Sequence, residues 1–74
     1  MDANEGLLSV VNLIKGNPLW NHTLSQVVES GKASNWTEYT IIGRNEVNTF
    51  KAVVNYNPSN RSTSVAKLSI EAVD

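Results

Sequence analysis

The sequence predicts an α+β fold, a two-layer sandwich in which two N-terminal helices pack on a three-stranded antiparallel meander in the order ααβββ. Three observations carry this reading. Apolar residues in the first third recur with a helical period, the period switches to two from residue 36 onward, and the strands so marked are joined by connections short enough to be hairpins.

The first helix is expected over about residues 3–15. Leu7, Val10, Val11 and Ile14 fall at i, i+3, i+4 and i+7, and Leu8 and Leu13 widen the stripe. Asp2 or Asn4 suits the N-cap, Glu5 the positive end of the dipole, Lys15 the negative end and Gly16 the C′ position. A buried strand over residues 7–14 is the competing reading, because Val10, Val11 and Ile14 are β-branched. Gly16-Asn17-Pro18 then breaks the chain and Leu19-Trp20 forms a short apolar anchor. A second helix is predicted from Thr23. Thr23 and Gln26 have the spacing of a capping box, Leu24, Val27 and Val28 form a two-turn stripe, and Gly31 ends it. So short a helix persists only if packing holds it.

The first strand, residues 36–43, is rich in aromatic and β-branched residues. Arg44-Asn45-Glu46 is its turn. Over residues 49–56, Phe50, Ala52, Val54 and Tyr56 share one face and Thr49, Lys51, Val53 and Asn55 the other. A polar loop at residues 57–61 leads to the last strand, residues 64–73, with Ala66, Leu68, Ile70 and Ala72 inward and Lys67, Ser69 and Glu71 outward. The core then joins Leu7, Val11, Ile14, Leu24, Val28, Tyr39, Ile41, Phe50, Val54, Leu68 and Ile70. Residues 1–74 form a single domain.

Composition narrows the function classes. Six basic residues against seven acidic ones leave a net charge of −1 and no long-range field for a phosphate backbone, so nucleic acid is not an expected partner. With no cysteine and one histidine, neither a thiolate metal cage nor a disulfide scaffold can be built, and no cofactor is expected. No apolar run approaches the roughly 18 residues of a membrane span. A chain this short has little stability to spend on strained polar groups, which favours binding over catalysis.

Residues with chemical potential are few. His22 sits beside Thr23 and Ser25 without a nucleophile-elbow motif, and reads as a packing or surface residue. Glu38 and Glu71 are candidates for a carboxylate pair on the sheet, and more simply for solvated charges. The ten Asn include Asn17, Asn45, Asn57 and Asn60 at predicted turns, where their side chains bond the backbone two residues on. Trp20, Trp36 and Tyr56 form a candidate ligand pocket, rich in aromatic rings and Asn. Ile42, Val53, Val65 and Val73 are expected on the sheet face away from the helices, which makes that face half apolar and a candidate for self-association or docking of a protein partner.

Four segments carry a resemblance: Val11-Asn-Leu-Ile-Lys-Gly-Asn17, Thr23-Leu-Ser-Gln-Val-Val28, Asn35-Trp36-Thr-Glu-Tyr39, and the closing Ala66-Lys-Leu-Ser-Ile-Glu-Ala-Val-Asp74. Together they resemble small bacterial envelope or secreted domains of lipoprotein type, with a Thr-capped helix followed by a Trp-x-x-aromatic meander. In that group a Lys-Asn-Gly segment precedes the helix. Here Lys15-Gly16-Asn17 changes the order, and Val27-Val28 replaces the aromatics usual near the helix end. The resemblance brings no catalytic residues. It implies a bacterial envelope or secreted location and a domain excised from a longer precursor, with Met1 as an added initiator. The expected function is a non-enzymatic protein-interaction module acting through the open sheet face or edge, with a dimer as one form of that interaction. The alternative is a small-molecule or glycan-binding module.

Overall fold

The computed structural model describes residues 5–73. The described residues form one helix, α1 (Glu5–Lys15), and four strands, β1 (Thr23–Lys32), β2 (Thr37–Arg44), β3 (Asn48–Asn57) and β4 (Ser62–Ala72). The strands make one antiparallel sheet in the order β1-β2-β3-β4. The ααβββ expectation is therefore corrected to αββββ. The three strands predicted after residue 36 form the expected meander, and the segment predicted as a second helix adds a fourth strand to its edge. The proposed caps Asp2 and Asn4 lie outside the described residues.

The correction has a local cause. β1 carries bulges between Leu24 and Gln26 and between Glu29 and Gly31. Each inserts a residue, so the positions paired with helix-side residues of β2 are Leu24, Val27 and Glu29 rather than every second residue. A bulged strand thus imitates the three-residue spacing of a helical stripe. Two β-branched valines favour extended backbone, and an isolated two-turn helix is marginal in water. Pairing with β2 offers the segment's backbone a ladder interrupted only at the two bulges. Gly31 lies within β1, and no glycine among the described residues has a positive φ, so neither Gly16 nor Gly31 serves as a left-handed terminator. α1 instead ends with Gly16 N–H donating to Asn12 O (3.1 Å) and Asn17 N–H to Ile14 O (3.0 Å).

α1 lies over β3 and reaches β2 and β4. Its Val10 and Ile14 bury against Tyr39, Ile41, Phe50, Ala52, Val54 and Tyr56, with Leu7, Trp20, Val27 and Leu68 packed around them. Val11 is half-buried, and Leu24, Val28 and Ile70, expected in the core, are exposed. Length explains the distribution. Eleven helical residues span roughly 16 Å, whereas a ten-residue strand spans roughly 33 Å. The helix covers the Tyr56 end of β3, where Gly6 lets it approach: a Cβ there would stand 2.8 Å from Tyr56 Cδ2. Trp20 closes the other end. Its indole meets Phe50 edge-on at 5.1 Å and lies on Gly43, where a Cβ would stand 2.3 Å from Trp20 Cη2.

Asparagines shape the connections as the sequence indicates. Asn17 Oδ1 accepts from Leu19 N–H, Asn57 Oδ1 from Ser59 N–H and Asn60 Oδ1 from Ser62 N–H, each two residues on. Asn45 Oδ1 accepts from both Val47 and Asn48 N–H at 2.8 Å, and its Nδ2 donates to Asn21 O, tying the β2–β3 turn to the segment before β1. Arg61, at φ 59°, turns the β3–β4 hairpin, and its Nε lies 3.0 Å from Glu5 Oε1.

Candidate functional site

The sheet has a helix-covered face and an open face, and register assigns each residue to one of them. Rows across the open face read Gln26–Ile42–Lys51–Ser69, Val28–Thr40–Val53–Lys67 and Thr23–Arg44–Thr49–Glu71. Of the expected interaction residues, Ile42 and Val53 lie here, both half-buried. Val65 does not. The β4 register shift makes it the partner of Val54, a helix-side residue, and Val73 lies past the end of β4 with its N–H bonded to Val47 O. Val28 joins Ile42 and Val53 instead, and polar side chains surround all three. The four expected residues therefore do not share one face, and the apolar part of the open face within the strands is a small patch of Val28, Ile42 and Val53.

Glu38 and Glu71 do not form a carboxylate pair. Glu38 pairs with Asn55 and Glu71 with Thr49, six residues apart along β3 or roughly 20 Å. Ser30 Oγ donates to Glu38 Oε1 at 2.9 Å and accepts from Thr40 Oγ1, which turns the carboxylate toward β1. His22 is a packing residue. Its ring sits 5.4 Å from Trp20 and 5.3 Å from Phe50. Nδ1 accepts from Asn21 N–H, which leaves the proton on Nε2, in contact with Asn48 Oδ1. Among the described residues no group of three or more His, Cys, Asp or Glu gathers to hold a metal ion, and no helix is long and apolar enough to cross a membrane.

The three aromatics of the expected pocket are not brought together. Trp20 and Tyr56 belong to the helix-covered core at its opposite ends, while Trp36 stands at the β1–β2 turn, 45% exposed. Beside Trp36 lies a cleft of 310 Å³ lined by Asn35, Trp36, Asn55, Asn57, Ser62 and Ser64. Asn55 and Ser64, and Asn57 and Ser62, are cross-strand partners on the open face. Sequence reasoning found Trp36 but not these partners, since only the β3–β4 register sets them beside one another.

The fold displaces the titration of Tyr39. Burial pushes its hydroxyl above the usual 10.0, and the charge of Glu29, its cross-strand neighbour, and the Tyr56 phenol add to the shift. This group belongs to the core rather than to a site.

β4 has one free edge, and its sequence there is self-complementary. Val65-Ala66-Lys67-Leu68-Ser69-Ile70-Glu71-Ala72-Val73 reads the same in both directions about Ser69, with Leu opposite Ile and Lys opposite Glu. Lys67, Ser69 and Glu71 lie on the open face, and Leu68 and Ile70 on the helix side. Ile70 is 38% exposed because α1 does not reach over it fully.

No family model, curated protein or solved structure matches the chain. The envelope and lipoprotein readings implied by the sequence resemblance therefore have no relative behind them and are withdrawn.

Proposed function

We propose that the protein is a non-enzymatic interaction module whose working surface is the edge of β4, and that the partner this edge fits is another copy of the same chain. The observation that carries the reading is the symmetry of residues 67–71. Antiparallel pairing about a two-fold axis at Ser69 sets Lys67 opposite Glu71 of the second copy on the open face, twice by symmetry. On the other face it sets Leu68 opposite Ile70, also twice, and covers apolar surface that α1 leaves in water.

A charged residue on an edge strand normally deters pairing. Here the two-fold arrangement turns that deterrent into an ion pair, so the edge rejects most other strands and accepts its own sequence. Each opposite-charge pair contributes about 0.2–1 kcal/mol and like charges placed opposite cost as much. Five paired residues make a small interface, so association is weak and depends on concentration.

Sedimentation equilibrium over a range of protein concentrations tests the proposal. Wild type shifts toward two-chain species as concentration rises. Glu71→Lys and Lys67→Glu, each of which sets like charges opposite, move the shift to higher concentration, and the double exchange restores it. A chain that stays single at all concentrations, or association that neither single change weakens, overturns the proposal. So does a double exchange that fails to restore association while circular dichroism remains native.

A further inference from the structure

We infer that the cleft beside Trp36 binds an uncharged polyhydroxylated ligand, a sugar ring in chemical class. Every polar group lining the cleft is an amide or a hydroxyl: Asn35, Asn55, Asn57, Ser62 and Ser64. No lysine, arginine or carboxylate lines it, and the nearby Glu38 carboxylate is engaged by Ser30. Such a lining offers nothing to compensate the desolvation of an ion. It offers paired donors and acceptors to a neutral ligand with adjacent hydroxyl groups. The exposed indole of Trp36 supplies the apolar platform against which the C–H face of a sugar can rest.

A second observation concerns one of the residues that line this cleft. Asn55 Oδ1 is buried and has no hydrogen-bond partner. Buried acceptors in folded proteins are almost always paired, and an orphan carries the full cost of its lost hydration. Asn55 lies on β3, the best-packed strand, so the unpaired atom is held by rigid backbone rather than by a loop. Turning the amide toward the cleft brings Oδ1 to a ligand hydroxyl, and the hydrogen bond gained there relieves the orphaned acceptor. The neighbouring Asn57 is positioned by its own Oδ1, which accepts from Ser59 N–H at 2.9 Å and so turns the amide within the hairpin. The 310 Å³ volume is at the small end of ligand pockets, about 300–1,000 Å³, and suits a short glycan rather than a long chain.

The cleft uses Ser62 and Ser64 of β4, outside residues 67–71, so it does not depend on the edge pairing. The test is a titration followed by 1H–15N correlation spectra, with D-glucose, D-galactose, D-mannose and N-acetyl-D-glucosamine as probes and inorganic phosphate and acetate as charged controls. At least one neutral sugar shifts the Trp36 indole and Asn55 side-chain amide signals saturably. The Trp20 indole, at the far end of the core, stays in place and the charged controls move nothing. Trp36→Ala and Asn55→Ala each weaken binding tenfold or more, with circular dichroism reporting an intact fold. No saturable shift with any of the four sugars overturns the inference. So does a Trp20 shift as large as that of Trp36, saturable binding of phosphate or acetate at the cleft, or unchanged affinity in both variants. Repeating the titration on Glu71→Lys separates the outcome from that of the edge-pairing proposal, because sugar binding persists there whether or not the chains associate.

Discussion

The two central strands and the two edge strands are built from similar residues and live in different environments. In β3, Phe50, Ala52, Val54 and Tyr56 are all buried, and in β2 Tyr39, Ile41 and Gly43 are. β1 and β4 contain no fully buried residue although Leu24, Val27, Leu68 and Ile70 point the same way. One eleven-residue helix and one tryptophan are too little cover for four strands, and they sit over the middle. Cohesion is therefore concentrated in β2 and β3, and the edges are left with apolar surface and unpaired backbone for another molecule to use.

Stability measurements can break or sharpen this contrast. The largest expected effect is at its centre: Phe50→Ala costs about 3–5 kcal/mol, a large share of what a domain of this size possesses. Ile70→Ala, one strand away and directly paired with Phe50, costs about 1–2 kcal/mol because its side chain is already partly in water. Urea denaturation of both variants compares them, and equal losses would show that cohesion extends to the edge. Gly43→Ala is next, at about 1–3 kcal/mol, since the added methyl group must displace the Trp20 ring from the sheet. Near-ultraviolet circular dichroism reports that displacement, and an unchanged spectrum with unchanged stability would mean that Trp20 does not seal that end of the core.

The smallest effect is on pH dependence. The native Tyr39 hydroxyl keeps its proton at pH values where the unfolded residue, titrating at 10.0, has released it. The native state binds more protons in that interval, so this contribution is full below pH 10 and is lost as pH rises through the native value. Tyr39→Phe makes the alkaline fall in stability shallower. A thermal melting series from pH 8 to pH 11 checks it, and identical slopes in wild type and variant would place Tyr39 outside the buried centre.

Much of this was legible in the chain. The stripe of Leu7, Val10 and Ile14 marks α1, unbroken alternation marks β3, and Asn17, Asn45, Asn57 and Asn60 mark turns they then form with their own side chains. These are short-range energies, settled within a few residues. The candidate site was only half legible. Trp36 stands out as an aromatic, but the Asn and Ser residues beside it come from strands whose register is set by long-range pairing. The four-residue interaction face failed at Val65 for the same reason, because one bulge in β4 moves it to the opposite side of the sheet.

The sequence by itself determined the helix, the hairpins after residue 36 and the turns between them, since periodicity and side-chain-to-backbone bonds act locally. Only the tertiary structure decided that residues 23–32 extend along β2 rather than coil, that Trp20 enters the core over Gly43, and that Asn55 lines a cleft while burying an unpaired oxygen. Each of these depends on a partner distant in the chain, and a strand that gains a ladder of hydrogen bonds outweighs a helix of two turns that a local capping pattern alone would have to support.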